Sequence, residues 1–244
     1  MPSGAVIPKL PKGELIYAVG DIHGRSDLLS DLLRQIEADA EGCTATAKTL
    51  VFLGDYVDRG PDVRGVVDML LNDLPTRFAV RFLKGNHEAL LLDFLAGEGR
   101  LDHWRMNGGD ATMASYGVDV DRLAETGASP EAWREAFAAA LPPAHLSFLR
   151  QLELQVPVGD YLFVHAGIRP GVPLDAQDET DLIWIRDEFL DAREPFGKVV
   201  VHGHTPRPEP VVRPNRIGID TGAVFTGRLT ALRLQDGERE FLRT

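Results

Sequence analysis

Leu15-Ile16-Tyr17-Ala18-Val19 runs straight into Gly20-Asp21-Ile22-His23-Gly24, and a helical pattern opens directly behind it. The first five residues are apolar and rich in strand formers, which reads as a short buried strand stopped by a polar turn. From Asp27 onward Leu28, Leu29, Leu32, Leu33 and Ile36 recur at helical spacing, with Ser26 as the expected N-cap. The same unit then repeats. Residues 49–53 lead into Gly54-Asp55 and a helix through Val66, Val67, Leu70 and Leu71; residues 78–83 lead into Gly85-Asn86-His87 and a helix over 90–95. Strands alternating with helices predict an α/β fold built from crossover connections.

The stretch 97–152 breaks this rhythm. It is helical in pattern and interrupted by Gly108-Gly109 and Pro142-Pro143, as an insertion would be. Strands resume at 161–164, 198–201, 217–219 and 229–234, with one helix expected around 182–190. This strand-rich second half predicts a second sheet, giving two packed mixed β-sheets flanked by helices. No fixed-period repeat or linker divides the chain, so one domain is expected over 1–244.

Composition narrows the function. The 244 residues carry 37 acidic against 26 basic side chains, a net charge of −11, which gives no general attraction to nucleic acid or an anionic membrane. An anionic substrate would need its own cationic pocket. Cys43 is the only cysteine, so an intramolecular disulfide and a Cys-rich zinc site are both excluded. The N-terminal residues lack a basic start followed by an apolar stretch, and no segment approaches the roughly 18 apolar residues of a membrane helix. A cytoplasmic protein is expected.

Polar clusters sit where the strands end: Asp21 and His23, then Asp55 with Asp58-Arg59, then Asn86-His87, His165 and His204. The carboxyl ends of parallel strands converge on one edge, where α/β folds bind ligands. Carboxylates, imidazoles and an amide oxygen, with no thiolate, are donors for divalent metals. They exceed what one tetrahedral ion needs and suit a pair of ions sharing a carboxylate. Any one cluster alone reads as a tight turn or a hydrogen-bonded histidine; the coincidence of five carries the functional reading.

Gly20-Asp21-Ile22-His23-Gly24, Gly54-Asp55-Tyr56-Val57-Asp58-Arg59-Gly60, Gly85-Asn86-His87-Glu88, His165-Ala166-Gly167 and Gly203-His204-Thr205 resemble the motifs of the calcineurin-like metallophosphoesterases, and among them the phosphoprotein phosphatases. The resemblance spans Val19 to about Gly222. Compact length and the stretch from Trp104 through Asn107-Gly108-Gly109 to Ser115-Tyr116-Gly117 are similar to the bacterial and phage lambda-type enzymes. Asp220-Thr221-Gly222 stands where the eukaryotic branch has a SAPNY segment, so no tyrosine contact carries over.

The resemblance implies two divalent ions, manganese first, with iron, zinc or nickel as further candidates. Asp21, His23 and Asp55 would hold the first; Asp55, Asn86, His165 and His204 the second, with Asp55 as the bridge. Gly203-His204-Thr205-Pro206 lacks the second histidine of a GHxH motif, so the first ion would keep more water. The implied reaction is hydrolysis of a phosphoric monoester by a hydroxide shared between the ions, as in serine/threonine protein phosphatases. His87 would be the general acid, with Asp58 orienting it and keeping it protonated. Arg59 would clamp phosphoryl oxygens, and Arg186 is the candidate second clamp, its alternative being a surface arginine paired with Asp187 or Glu188.

Arg25 and Arg207 either extend a positive rim or are solvated. His202, out of step with the ligand position, is expected to be structural. Trp104, Asn107, Gly108, Gly109 and Tyr116 either line a substrate pocket or pack as a satellite core, whereas Trp133, Phe137 and Leu141 read as packing. Expected substrates are phosphorylated proteins or peptides, small phosphate esters, or nucleotides; nucleic acid and membrane are not expected partners. The alternatives are hydrolysis of dinucleoside polyphosphates or nucleotide pyrophosphates and, more remotely, an inactive metal-binding scaffold.

Overall fold

In the computed structural model, which describes residues 7–244, strand β1 (Glu14–Val19) buries both its faces. Residues 1–6, part of the stretch lacking a leader-like pattern, lie outside the described range. Leu15, Tyr17 and Val19 point to one layer and Ile16 and Ala18 to another, the two-residue alternation of a strand between two cores. Four further elements carry the first half: α1 (Ser26–Glu41), β2 (Ala47–Phe52), α2 (Val63–Asn72) and β3 (Ala79–Phe82). Helix α3 (Asn86–Ala96) follows. Five helices come next: α4 (Leu101–Met106), α5 (Gly109–Ser115), α6 (Val120–Glu125), α7 (Pro130–Ala140) and α8 (Pro143–Arg150).

The second half supplies β4 (Gln155–Val158), β5 (Tyr161–Val164), α9 (Glu179–Trp184), α10 (Asp187–Leu190), β6 (Val199–His202), β7 (Val211–Val212) and β8 (Arg216–Gly218). Helix α11 (Ala223–Thr226) and strands β9 (Thr230–Gln235) and β10 (Glu238–Arg243) close the chain. One sheet has the order β10-β9-β1-β2-β3, the other β4-β5-β6-β8-β7. In the first sheet β1, β2 and β3 run parallel while β9 and β10 pair antiparallel on its other side; in the second β5, β6 and β8 run parallel between the antiparallel edge strands β4 and β7, so both sheets are mixed. Ile16, Ala18, Val51 and Leu53 of the first sheet form a common core with Phe163, Val201 and Ile217 of the second. Helices cover the outer faces.

Several local expectations change. Ser26 is the first residue of α1 rather than its cap, and its hydroxyl donates to Asp62. Leu71 is exposed on α2. The helix expected over 182–190 is two short ones, broken at Arg186 (φ −130°, ψ −100°). Strands β4, β7 and β10 escape the pattern because β4 contains Pro157, β7 has two residues, and β10 is a charged edge strand of the kind that resists pairing with other chains.

The helical stretch is anchored on its aromatic face. Phe94, Trp104, Phe137 and Tyr116 pack ring against ring in tilted and edge-on pairs, with centroids 4.9, 5.3 and 5.9 Å apart. Trp104 and Tyr116 therefore pack, and Gly109 lets α5 approach: a Cβ there would lie 2.6 Å from the Trp104 ring. Phe137→Ala is expected to cost about 3–5 kcal/mol in denaturant unfolding; a loss below about 1 kcal/mol would show that α7 packs loosely.

Candidate active site

The parallel strands β1, β2, β3, β5, β6 and β8 all deliver polar residues past their carboxyl ends. Gly54, at φ 104°, and Gly85 let two of these loops touch, since a Cβ on Gly54 would lie 2.6 Å from Gly85 N and one on Gly85 2.1 Å from Asp55 Oδ1. Asp55 follows in the left-handed region (φ 53°), as do His23, Asp58, Arg59 and His204. Non-glycine residues rarely hold that conformation, and its concentration here marks a site where geometry outranks backbone comfort.

Glu88, in the first turn of α3, compensates. Fully buried, its carboxylate accepts from the backbone N–H groups of Gly85, Asp55, Tyr56 and Val57 at 2.8–3.2 Å. Burial, with the charge of Asp55, pushes its pKa up to about 7. The role of Glu88 was not foreseen, although its place three residues after Gly85 is that of a capping-box acid.

Asp55 is the centre. It is 2 % exposed, and its oxygens lie 3.4 Å from His165 Nε2, 3.5 Å from His23 Nε2 and 3.9 Å from His87 Nε2. Burial would raise its pKa, but the surrounding imidazoles together hold it below the ordinary carboxylate range. Two groups of donors share it: His23, Asp55 and His87 on one side, Asp55, His165 and His204 on the other, with ligand atoms in each within 4.8 Å of one another. Burial drives His23 down to about 3, His204 down to about 2, and His165 also down, so these rings are neutral. His23 Nδ1 and His165 Nδ1 donate to Val57 O and Leu53 O, both at 2.8 Å, which leaves each Nε2 lone pair facing inward.

These donors fit divalent cations. With its proton on Nδ1, His165 presents a lone pair to Asn86 Oδ1 3.1 Å away, an acceptor facing an acceptor. His204 Nε2 is buried without a hydrogen-bond partner among the described residues. Asp21 has its pKa raised by burial and by the charges of Asp220 and Asp55. A cation would satisfy all three. Asp21 itself lies outside the two donor groups, its carboxylate accepting from His204 N–H at 3.0 Å. Asp220 belongs to this cluster although the sequence reading left it out: it is buried, pushed up to about 6 chiefly by burial, and its charge in turn acts on Asp21. Its position just past β8 is the signal that would have found it.

Beside the cluster, His87 Nδ1 lies 2.7 Å from Asp58 Oδ2 with both side chains buried. Burial works against the charged ring, but Asp55 and Asp58 outweigh it and raise the His87 pKa. Asp58 also accepts from Trp104 Nε1 at 3.1 Å and Thr112 Oγ1 at 2.6 Å, so α4 and α5 orient the pair. Arg59 is exposed and reaches His23 Nε2 at 2.8 Å, its backbone N–H donating to Gly108 O at 3.2 Å. Gly108, at φ 102°, thus approaches Arg59.

Arg186 is exposed and pairs with neither Asp187 nor Glu188; its charge helps depress His165 and His204. Arg25 is tied to Asp27 and to Ala223 O, whereas Arg207 lies exposed beside Asp220. His202 is buried, 3.3 Å from Arg216 Nη1 and outside both donor groups.

Residues 15–233 match the profile of the calcineurin-like phosphoesterases. The chain is 32% identical to serine/threonine-protein phosphatase 1 of Salmonella typhimurium over 90% of its own length and 92% of the relative's. It is 26% identical to an asymmetrical bis(5'-nucleosyl)-tetraphosphatase, PrpE, of Anoxybacillus flavithermus, covering 92% of each chain. A crystal structure described as a candidate diadenosine tetraphosphatase superposes with a TM-score of 0.63 at 25% identity, covering 98% of this chain and 94% of the other.

Glu88→Ala would strand four buried N–H groups, each worth about 1–3 kcal/mol when unsatisfied. A loss of about 3 kcal/mol or more is expected in thermal or denaturant unfolding, and an unchanged midpoint would show that water replaces the carboxylate.

Proposed function

The chain belongs to the calcineurin-like phosphoesterase family and is a metal-dependent phosphoesterase; within that class we propose that it hydrolyses phosphoric monoesters in the manner of serine/threonine protein phosphatases. The observation that carries this reading is the buried Asp58–His87 pair, 2.7 Å apart, alongside donors centred on Asp55. A monoester of serine departs as a basic alkoxide and needs a proton in the transition state. A cationic His87 beside the metal donors is placed to supply one.

Asp21, His23 and Asp55 would hold one ion, and Asp55, Asn86, His165 and His204 the other. Bound there, two divalent ions, manganese first, would supply Lewis-acid charge to the phosphoryl oxygens and acidify the attacking water. His87 donates from Nε2 to the leaving oxygen, while Asp58 keeps the ring charged and aimed. Arg59 and Arg186 bind the remaining phosphoryl oxygens, since a guanidinium meets two at once. The reading includes a reducing, cytoplasmic setting, supported by the free thiol of Cys43; among the described residues no helix is long and apolar enough to cross a membrane.

A second reading, hydrolysis of dinucleoside polyphosphates, is favoured by the relatives named for that activity. The same donors would serve it, with a less basic leaving group. Steady-state rates on phosphopeptides and diadenosine tetraphosphate, measured side by side with manganese, separate the two.

Exhaustive chelation is expected to abolish turnover, with restoration by manganese; full activity in metal-free protein would sink the mechanism. Asp55→Asn should be the most damaging ligand change, because Asp55 alone is shared. His87→Asn should keep both metals and lose about 10²–10⁴-fold on phosphoserine peptides but much less on nitrophenyl phosphate, whose leaving group needs no acid. Equal losses on the two substrates would assign His87 to positioning. Arg59→Lys and Arg186→Lys should each lower kcat/KM, because an ammonium does not reproduce the planar two-point contact; an unchanged rate for Arg186→Lys would remove it from the site.

A further inference from the structure

His202 and Thr205, on either side of Gly203-His204, line a cavity of about 270 Å³ together with Arg207, Arg213, Arg216 and Asp220. Arg216 is only 7 % exposed, and arginine is rarely buried without a counter-charge. Its Nη2 donates to Leu190 O at 3.1 Å and its Nη1 lies 3.3 Å from His202 Nε2, while its Nε is buried with no partner among the described residues. Thr205 Oγ1 is buried and unpartnered in the same way. None of Arg207, Arg213 and Arg216 forms an ion pair among the described residues, in a chain where acids outnumber bases by 37 to 26. The guanidinium of Arg216 feels burial and the repulsion of Arg213 and Arg207, with Asp191 the opposing charge.

Two acids line the cavity. Asp191 is exposed, and the carboxyl of Asp220 is engaged by Gly222 N–H at 2.8 Å. Three cations and two orphaned donors thus face a space below the roughly 300–1,000 Å³ of drug-sized pockets. What satisfies them is a small polyanion with acceptor oxygens on several sides. A carboxylate has one charge and a planar pair of oxygens; a phosphate group has up to two charges and a tetrahedron of them, and guanidinium groups match it.

We propose that this cavity is a second phosphate-binding site, separate from the donors around Asp55. Thr205 follows His204 directly, and Arg207 N–H donates to the carbonyl of Asp220, whose charge acts on Asp21, so the two sites share a wall. The occupant is either a further phosphate group on the substrate, which rests on the hydrolase reading, or free orthophosphate.

Isothermal titration of the manganese-loaded protein with orthophosphate tests it. Two equivalents per chain are expected, one at the metals and one in the cavity. Arg213→Gln, an exposed position, should weaken one of them at least tenfold while leaving nitrophenyl phosphate turnover within about twofold. Arg216→Lys should do the same if it folds. A tenfold fall in kcat/KM for diadenosine tetraphosphate relative to nitrophenyl phosphate in Arg213→Gln assigns the site to the substrate's second phosphate; an unchanged ratio with the lost equivalent assigns it to orthophosphate. A single equivalent in the unmodified protein, or the same titration in Arg213→Gln, overturns the proposal. Absence of metal-dependent nitrophenyl phosphate turnover would instead strike the hydrolase reading, leaving the titration to stand by itself.

Discussion

A carboxylate removed from water has to be answered by charge, by hydrogen bonds or by a proton, and Asp55 is answered by the first two. The ring of His87, whose pKa is raised, brings Nε2 to 3.9 Å from the Asp55 oxygens, and His87 N–H, at the start of α3, donates to Oδ1 at 3.1 Å. The unpaired N–H groups and positive dipole end of that eleven-residue helix favour an anion there. Because the helix must end on Asp55, β3 and its turn must meet the turn after β2, which Gly54 and Gly85 allow. The relation between the first sheet and α3 follows from satisfying one side chain.

That arrangement holds the chain in backbone conformations it does not favour. His23, Asp55, Asp58, Arg59 and His204 all have positive φ, and each belongs to the same cluster. Strain of about 1–3 kcal/mol per residue persists only where surroundings over-determine it. Here Ile22 and His23 N–H both donate to Asp55 O, Asp58 N–H donates to Thr112 Oγ1, His204 N–H to Asp21, and Asp55 N–H to Glu88. Each strained residue is thus fixed by its own N–H or by that of a neighbour. These bonds hold the backbone of the cluster in its strained conformations.

The parallel frame was legible because β1, the second half of β2 and β5 are buried on both faces and the turns behind them are short. Leu15 to Val19 and residues 49–53 leave no alternative to a strand, and a polar residue placed just past such a strand has to lie on the common edge. The polar strand-end residues, His87 and Asp58 among them, are therefore recoverable from order, whereas the roles expected of them rest on the resemblance to the calcineurin-like metallophosphoesterases. Glu88 and Asp220 stand at positions that carry a signal, three residues after Gly85 and just past β8, but residue type alone does not distinguish a buried carboxylate that accepts backbone N–H groups from a surface acid. Edge strands were lost for a related reason: β10 carries charges against pairing, and a charged alternating run without a buried face has no periodic signal. Trp104 stayed ambiguous between pocket and core because an indole serves both, and here it packs its ring and spends its N–H on Asp58.

That last contact links two otherwise separate pieces of packing. Asp58 belongs to the turn after β2, but two of its three side-chain donors, Trp104 and Thr112, come from α4 and α5. Those helices are in turn held by the ring packing through Phe94, Phe137 and Tyr116. A shift of the helical segment would rotate Asp58 and with it the imidazole whose charge it sustains, while the donors of His165 and His204, seated on the second sheet, would stay in place. On the proposed reading, metal binding and proton donation would therefore depend on different cores, the first on the sandwich between the sheets and the second on the aromatic packing of the helices. The turn at Gly108 is where they meet: it is tied by its carbonyl to Arg59 N–H, and that residue's guanidinium reaches back to His23.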